Sequence, residues 1–183
     1  DIHLFEISKG KINDYRIEEM EDYLDSDYFI VFGSSYIKGD LVNYLIDKQA
    51  INIHMGLSPF YRGSDCNFWA IYDGNPHLVG ATIHFLSKGL DSGPILYHAV
   101  TKLISSKNVF EYTMSSVKSA FSSIIEKLSD KTILNMEPII QDKSKEIRYS
   151  KSVHFTDEII EDYFTKKINI KSKTIDLKIL KNP

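Results

Sequence analysis

The chain has a single cysteine, Cys66, among 183 residues. No intrachain disulfide can form, and no thiolate cluster can hold a metal. One lone thiol fits a reducing compartment, so the expected setting is cytoplasmic. An excess of positive charge is lacking too: 22 Lys and Arg stand against 25 Asp and Glu, for a formal net charge of −3. A general nucleic-acid binder carries a basic excess, so nucleic acid is not an expected partner. No apolar run approaches the roughly 18 residues of a membrane span. No signal-peptide pattern, internal repeat or low-complexity linker is visible. The chain also lacks an initial Met and enters directly at "DIHLFEI", as if in mid-fold, so missing N-terminal sequence is expected. What is present is 43% hydrophobic and 26% charged, a globular composition long enough for one sizeable core.

Strand and helix periods alternate along the chain. Residues 2–7 alternate and read as a short strand, and "NDYRIEEMEDYL" (13–24) places Ile17, Met20 and Leu24 at helical spacing. "YFIVFG" (28–33) is a continuous apolar run, the pattern of a parallel strand buried on both faces. Asp40 can cap a helix over 41–48. "AINIH" (50–54) reads as a strand, "SDCNFWAIYDG" (64–74) as a helix ending at Gly74, and "VGATIHFL" (79–86) as a strand. "PILYHAV" (94–100) follows so closely that an antiparallel neighbour is expected. Phe110, Met114, Val117, Phe121, Ile124 and Leu128 make a long helical stripe, with Ser105, Ser106 and Asn108 available as caps. Residues 146–150 read as extended, Thr156 as the cap of a helix, and 167–180 as a small hairpin. The expected class is α/β with a mainly parallel sheet. Residues 1–130 form the expected catalytic domain and 131–183 a C-terminal extension with a helix and a hairpin.

The chemistry gathers in "INIHMGLSPFYRG", residues 51–63. Strand side chains alternate, so Asn52 and His54 share one face and Ile51 and Ile53 the other. They fall at the C-terminal end of a strand, the edge where open α/β sheets bind ligands. Asp91 lies in "GLDSG" (89–93), a loop able to return its carboxylate to a neighbour. If the three converge, Asn52 can donate to a developing oxyanion, His54 can move a proton, and Asp91 can orient the imidazole. No good nucleophile accompanies them: Ser58 precedes a proline, and Cys66 lies beyond the loop on a helix. The set therefore suits direct attack of a substrate amine on a carbonyl. By default each of these residues would be structural: a strand-end pair, a turn Asp, a solvated Arg62, and Phe68 and Trp69 in a core.

"NIHMGLSPFYRG" followed by "GLDSGPIL" resembles the folate-dependent formyltransferase family. That family includes the glycinamide ribonucleotide, methionyl-tRNA and sugar N-formyltransferases. Asn-x-His at a strand end and a Leu-Asp-x-Gly loop are its motifs, and the resemblance covers about residues 28–104. Where many members carry Pro-Ser-Leu-Leu-Pro, this chain has Met55-Gly56-Leu57-Ser58-Pro59. The stretch from Ser64 to Ala99 looks most like the sugar-modifying branch. The resemblance implies a Rossmann-like formyltransferase fold, here without its N-terminal βα unit. It implies 10-formyltetrahydrofolate as formyl donor and a small-molecule amine, a nucleotide-linked amino sugar, as acceptor. Asn52, His54 and Asp91 would be catalytic. Phe32, Gly33, Tyr36, Ile37, Leu86, Gly89 and Leu90 would line the folate site. Ser58, Tyr61, Arg62 and Gly63 would face the acceptor, with Arg62 a contact for phosphate or carboxylate. No metal is implied, and a homodimer is allowed. Competing readings are a glycinamide ribonucleotide or methionyl-tRNA formyltransferase, a formyl-tetrahydrofolate hydrolase, and a non-catalytic folate-binding fragment.

Overall fold

The computed structural model describes residues 3–100 and 109–166. The hairpin expected over 167–180 and the caps Ser105, Ser106 and Asn108 lie outside them. A four-stranded sheet organises the molecule, in the order β1 (Ile30–Phe32), β2 (Ile51–His54), β4 (Ala81–Phe85), β5 (Ile95–Ala99). Helix α2 (Gly39–Asp47) carries the chain from β1 back to a parallel β2, the crossover that parallel strands require. Strands β4 and β5 are each antiparallel to their neighbour. The α/β class stands as expected; the parallel part of this sheet is the β1–β2 pair.

The register divides the sheet into two chemically different faces. Ile53 stands opposite Ile83, and Ile83 opposite Tyr97. These join Ile51, Ala81, Ala99 and residues of α4 (Val109–Ser129) in one core cluster. The residues of α4 that are buried are Tyr112, Ser116, Ala120, Ile124 and Lys127. Of the expected stripe, Phe110 and Met114 are exposed. Ile124 is shared with that stripe, and Ala120 joins it in the core while Phe121 and Leu128 pack against the cluster half-buried. The opposite face places Asn52 across from His84, His54 across from Thr82, and Thr82 across from His98. This row is polar and largely buried, so each member needs a partner.

Other expectations shift. Residues 3–7 form no strand. The helix expected over 13–24 is three short pieces, 3-10 turns at Ile12–Asp14 and Ile17–Met20 and then α1 (Glu21–Leu24). Glu18, Glu19, Glu21 and Asp22 crowd like charges into a run too short for cooperative helix formation. Its apolar spacing still works: Met20, Ile17 and Leu24 pack in the cluster that holds Leu41, Val42 and Leu45 of α2. Strand β1 is not buried on both faces; Ile30 and Phe32 are each 43% exposed. Asp40 lies within the first turn of α2, not at its cap. Helix α3 (Cys66–Tyr72) follows the expected loop.

A second, two-stranded parallel sheet was not expected in full. Strand β3 (Tyr61–Gly63), read as loop, pairs with β6 (Arg148–Ser150), read as extended. Gly63 permits it: a Cβ there would lie 1.9 Å from the Ser150 carbonyl oxygen, at a φ of +94°. Arg148 then reaches Asp73 with two hydrogen bonds of 2.8 and 2.6 Å and stacks 4.4 Å above Trp69. Helix α5 (Asp157–Thr165) packs on α3 through Tyr163 and Phe68. Thr156 occupies its cap position without a side-chain cap bond. Among the described residues no helix is long and apolar enough to cross a membrane.

Candidate active site

Alternation along β2 sends Ile51 and Ile53 into the core and turns Asn52 and His54 to the polar face. The loop carrying Asp91 folds back over them. Asp91 Oδ2 lies 3.4 Å from His54 Nδ1 and accepts from the Gly63 backbone N–H at 3.2 Å. Asn52 Nδ2 lies 3.5 Å from Asp91 Oδ1. The three residues named from the sequence therefore meet in one place.

His84 belongs with them, although its position on another strand concealed this. Its Nδ1 lies 2.8 Å from the Phe85 carbonyl, which can only accept, so Nδ1 carries the proton. Nε2 is then an acceptor, and the Asn52 amide donates to it at 3.0 Å. This settles the amide orientation: the NH2 group faces the site. Burial, above all, pushes His84 down to about 4, so its ring stays neutral and the relay is fixed at neutral pH.

His54 is buried and its Nε2 lies 3.1 Å from the Tyr61 carbonyl, an acceptor. With Nε2 donating there, Nδ1 is the ring nitrogen turned to Asp91 and the cavity. Gly56 makes room for the ring, since a Cβ would fall 2.6 Å from Nε2 and 2.5 Å from the Cys66 Cβ. The loop below is held by the polar row. Thr82 donates to the Gly56 carbonyl at 2.5 Å and accepts from the Ser58 N–H at 2.8 Å. His98 donates to the Ser58 carbonyl at 2.7 Å.

Two cavities open from these residues. One, of about 320 Å³, is bounded by the β1–α2 loop, the end of β2 and the loop after β4. Phe32, Gly33, Tyr36, Ile37, Leu86, Gly89 and Leu90, named from the sequence, all line it beside Asn52, His54 and Asp91. Asn13 holds its rim, donating to the Tyr36 carbonyl and accepting from the Lys38 N–H, each at 2.8 Å. The other cavity, of about 570 Å³, meets the first at His54, Met55 and Gly63. Its walls include the aromatic rings of Phe68, Phe110, Phe155, Tyr163 and Phe164, and Asp65 is its one carboxylate.

The residues expected to face an acceptor divide. Gly63 lines both cavities. Ser58 and Tyr61 are buried and line neither of these two; Tyr61 gives its carbonyl to His54 and its hydroxyl to Asp73. Arg62 is engaged within the protein, donating to the Leu90 carbonyl at 2.7 Å, the Asp91 carbonyl at 3.3 Å and Glu146 at 2.9 Å. Cys66 is no nucleophile: burial and then the nearby Asp91 push its thiol up to about 12.

Comparison with known proteins assigns the family and the fold. The family model described as Formyl transferase matches residues 9–128, and the chain belongs to that family. Formyltetrahydrofolate deformylase 2, mitochondrial, of Arabidopsis thaliana is 33% identical over 89 residues, 49% of this chain and 25% of that protein. A methionyl-tRNA formyltransferase of Desulforamulus reducens is 34% identical over 88 residues, 47% of this chain and 26% of that protein. The chain thus spans about a quarter of the length of either relative. Among solved structures, the formyltransferase PseJ from Anoxybacillus kamchatkensis, in complex with UDP-4,6-dideoxy-4-formamido-L-AltNAc and tetrahydrofolate, shares the fold. Its TM-score is 0.61 at 24% identity, over 78% of this chain and 70% of that one. A 4-N formyltransferase from Francisella tularensis gives 0.57 at 23% identity, over 76% and 56%.

Proposed function

We propose that the protein transfers the formyl group of 10-formyltetrahydrofolate to the amine of a nucleotide-linked amino sugar. The observation that carries this reading is the meeting of Asn52, His54 and Asp91 where two cavities join. The smaller cavity has the loop backbone and the volume expected for a pteridine ring system. The larger one leaves an open approach to the same residues for a second reactant.

In this reading Asn52 turns the amide N–H that meets Asp91 at 3.5 Å to the formyl oxygen as the amine nitrogen attacks the formyl carbon. His54, whose Nε2 proton is held by the Tyr61 carbonyl, adds a second donor to that oxygen when Nδ1 carries a proton as well, the doubly protonated ring being paired with Asp91. The C–N bond to the folate N10 then breaks. Asp91 takes the proton that the amine loses, through water, and returns it to N10 as that nitrogen leaves with the bonding pair. The products are a formamide and tetrahydrofolate. The raised thiol of Cys66 argues against a covalent enzyme intermediate. Likeness in fold to a formyltransferase solved in complex with UDP-4,6-dideoxy-4-formamido-L-AltNAc and tetrahydrofolate supports the acceptor class.

The experiment is formyl transfer to a panel: nucleotide-linked amino sugars, glycinamide ribonucleotide, charged tRNA, and no amine. Transfer confined to an amino sugar supports the proposal. The same residues would hydrolyse the donor if water replaced the amine, and the likeness to deformylases supports that second reading. Formate release without any amine would select it.

A further inference from the structure

Asp91 holds a left-handed backbone conformation, φ +46°, that a non-glycine residue seldom adopts. Something must hold it there, because its carboxylate is what meets His54. Two side chains do so by donating to the carbonyls around it. Arg62 supplies its guanidinium to Leu90 and Asp91. Gln141 supplies both protons of its amide nitrogen, to the Asp91 carbonyl at 2.9 Å and the Gly93 carbonyl at 2.8 Å.

Gln141 lies beyond the residues matched by the family model, which end at 128. Its placement is built into the fold. Ile139 and Ile95 exchange two backbone hydrogen bonds of 2.8 Å, which anchor the downstream segment to the start of β5. Two residues on, Gln141 arrives beneath the loop. Five residues further, Glu146 binds the guanidinium of Arg62 at 2.9 Å. The segment 139–146 therefore braces the catalytic loop twice, once directly and once through Arg62.

We infer that Gln141 is a positioning residue, which fixes the Asp91 carboxylate against His54 from a segment outside the matched region. The catalytic consequence rests on the transfer reading; the brace itself does not.

The test uses Gln141→Met, close in length but without donors, and Gln141→Glu, close in shape and unable to donate when ionised. The full-length protein is measured in two ways. Steady-state transfer should show kcat lowered about tenfold in both variants, with both KM values within twofold of the parent. Amide hydrogen exchange should show faster exchange confined to residues 87–93, with the sheet unchanged. Unaltered exchange in that loop would overturn the inference, as would a raised KM with kcat intact. Faster loop exchange in a protein that transfers formyl to no amine would uphold the brace and overturn the transferase reading instead.

Discussion

At the scale of the residue, the site is a chain of fixed protonation choices. The Phe85 carbonyl sets the tautomer of His84, His84 sets the amide of Asn52, and the Tyr61 carbonyl sets which nitrogen of His54 faces Asp91. On the proposed mechanism, in which Asn52 is the oxyanion donor, Asn52→Ala should lower kcat by about 10²–10³ with little change in KM. Gly56→Ala should be comparably damaging without unfolding the sheet, because the added methyl needs the space of the His54 ring; kinetics and circular dichroism on one preparation would check both halves. His84 also predicts a pH dependence. Its folded pKa, about 4, lies below its unfolded value of 6.5, so the unfolded chain binds the extra proton between them. Its contribution to stability is fully present above about 6.5 and is lost as pH falls toward 4. His98, also lowered by burial, acts in the same direction. Replacing His84 with Gln should flatten that acid limb by up to about 3 kcal/mol in a denaturant series run across pH.

Strand alternation and a short glycine-bounded loop marked Asn52, His54 and Asp91 as candidates, the family resemblance of their motifs singled them out, and the structure brings their side chains together. His84 was not legible in the sequence, since its role depends on standing across from Asn52 in another strand. Ser58 and Tyr61, expected to face an acceptor, are buried: the Ser58 backbone is held by Thr82 and His98, and the Tyr61 hydroxyl by Asp73.

At the scale of the element, the core strands and the long helix were legible, while the acidic segment 13–24 and the shortest strands were not. Strands β2, β4 and β5 and helix α4 carry enough period to be seen in the chain. Strands β3 and β6 have three residues each and lie far apart in sequence. No local pattern marks such a pair. What holds it is tertiary: the Ser150 carbonyl against Gly63, and Arg148 between Asp73 and Trp69. Arg148→Ala should therefore destabilise the protein by about 1–3 kcal/mol, since it leaves the Asp73 carboxylate without its charged partner. Thermal unfolding of the variant would measure it. Asp73→Ala in the same background should then cost less than it does alone, by the shared Arg148–Asp73 interaction, leaving only the loss of the Tyr61 hydroxyl bond.

At the scale of the whole molecule, the fold places two unlike cavities on either side of one imidazole. The aromatic one is completed by Phe155 and α5, downstream of the matched region. Phe164 is 71% exposed at its wall, so Phe164→Ser should leave the fold intact. It should raise the KM for the amine about three- to tenfold and leave that for the folate unchanged, as expected for losing one apolar contact. The central claim, formyl transfer at the junction, is tested most directly by one comparison. The full-length protein and its His54→Ala variant are each given 10-formyltetrahydrofolate and a nucleotide-linked amino sugar, and the formamide product is measured. Product from the parent, falling by about 10²–10⁴ in the variant, is the result predicted here. Equal product from both proteins would contradict the account.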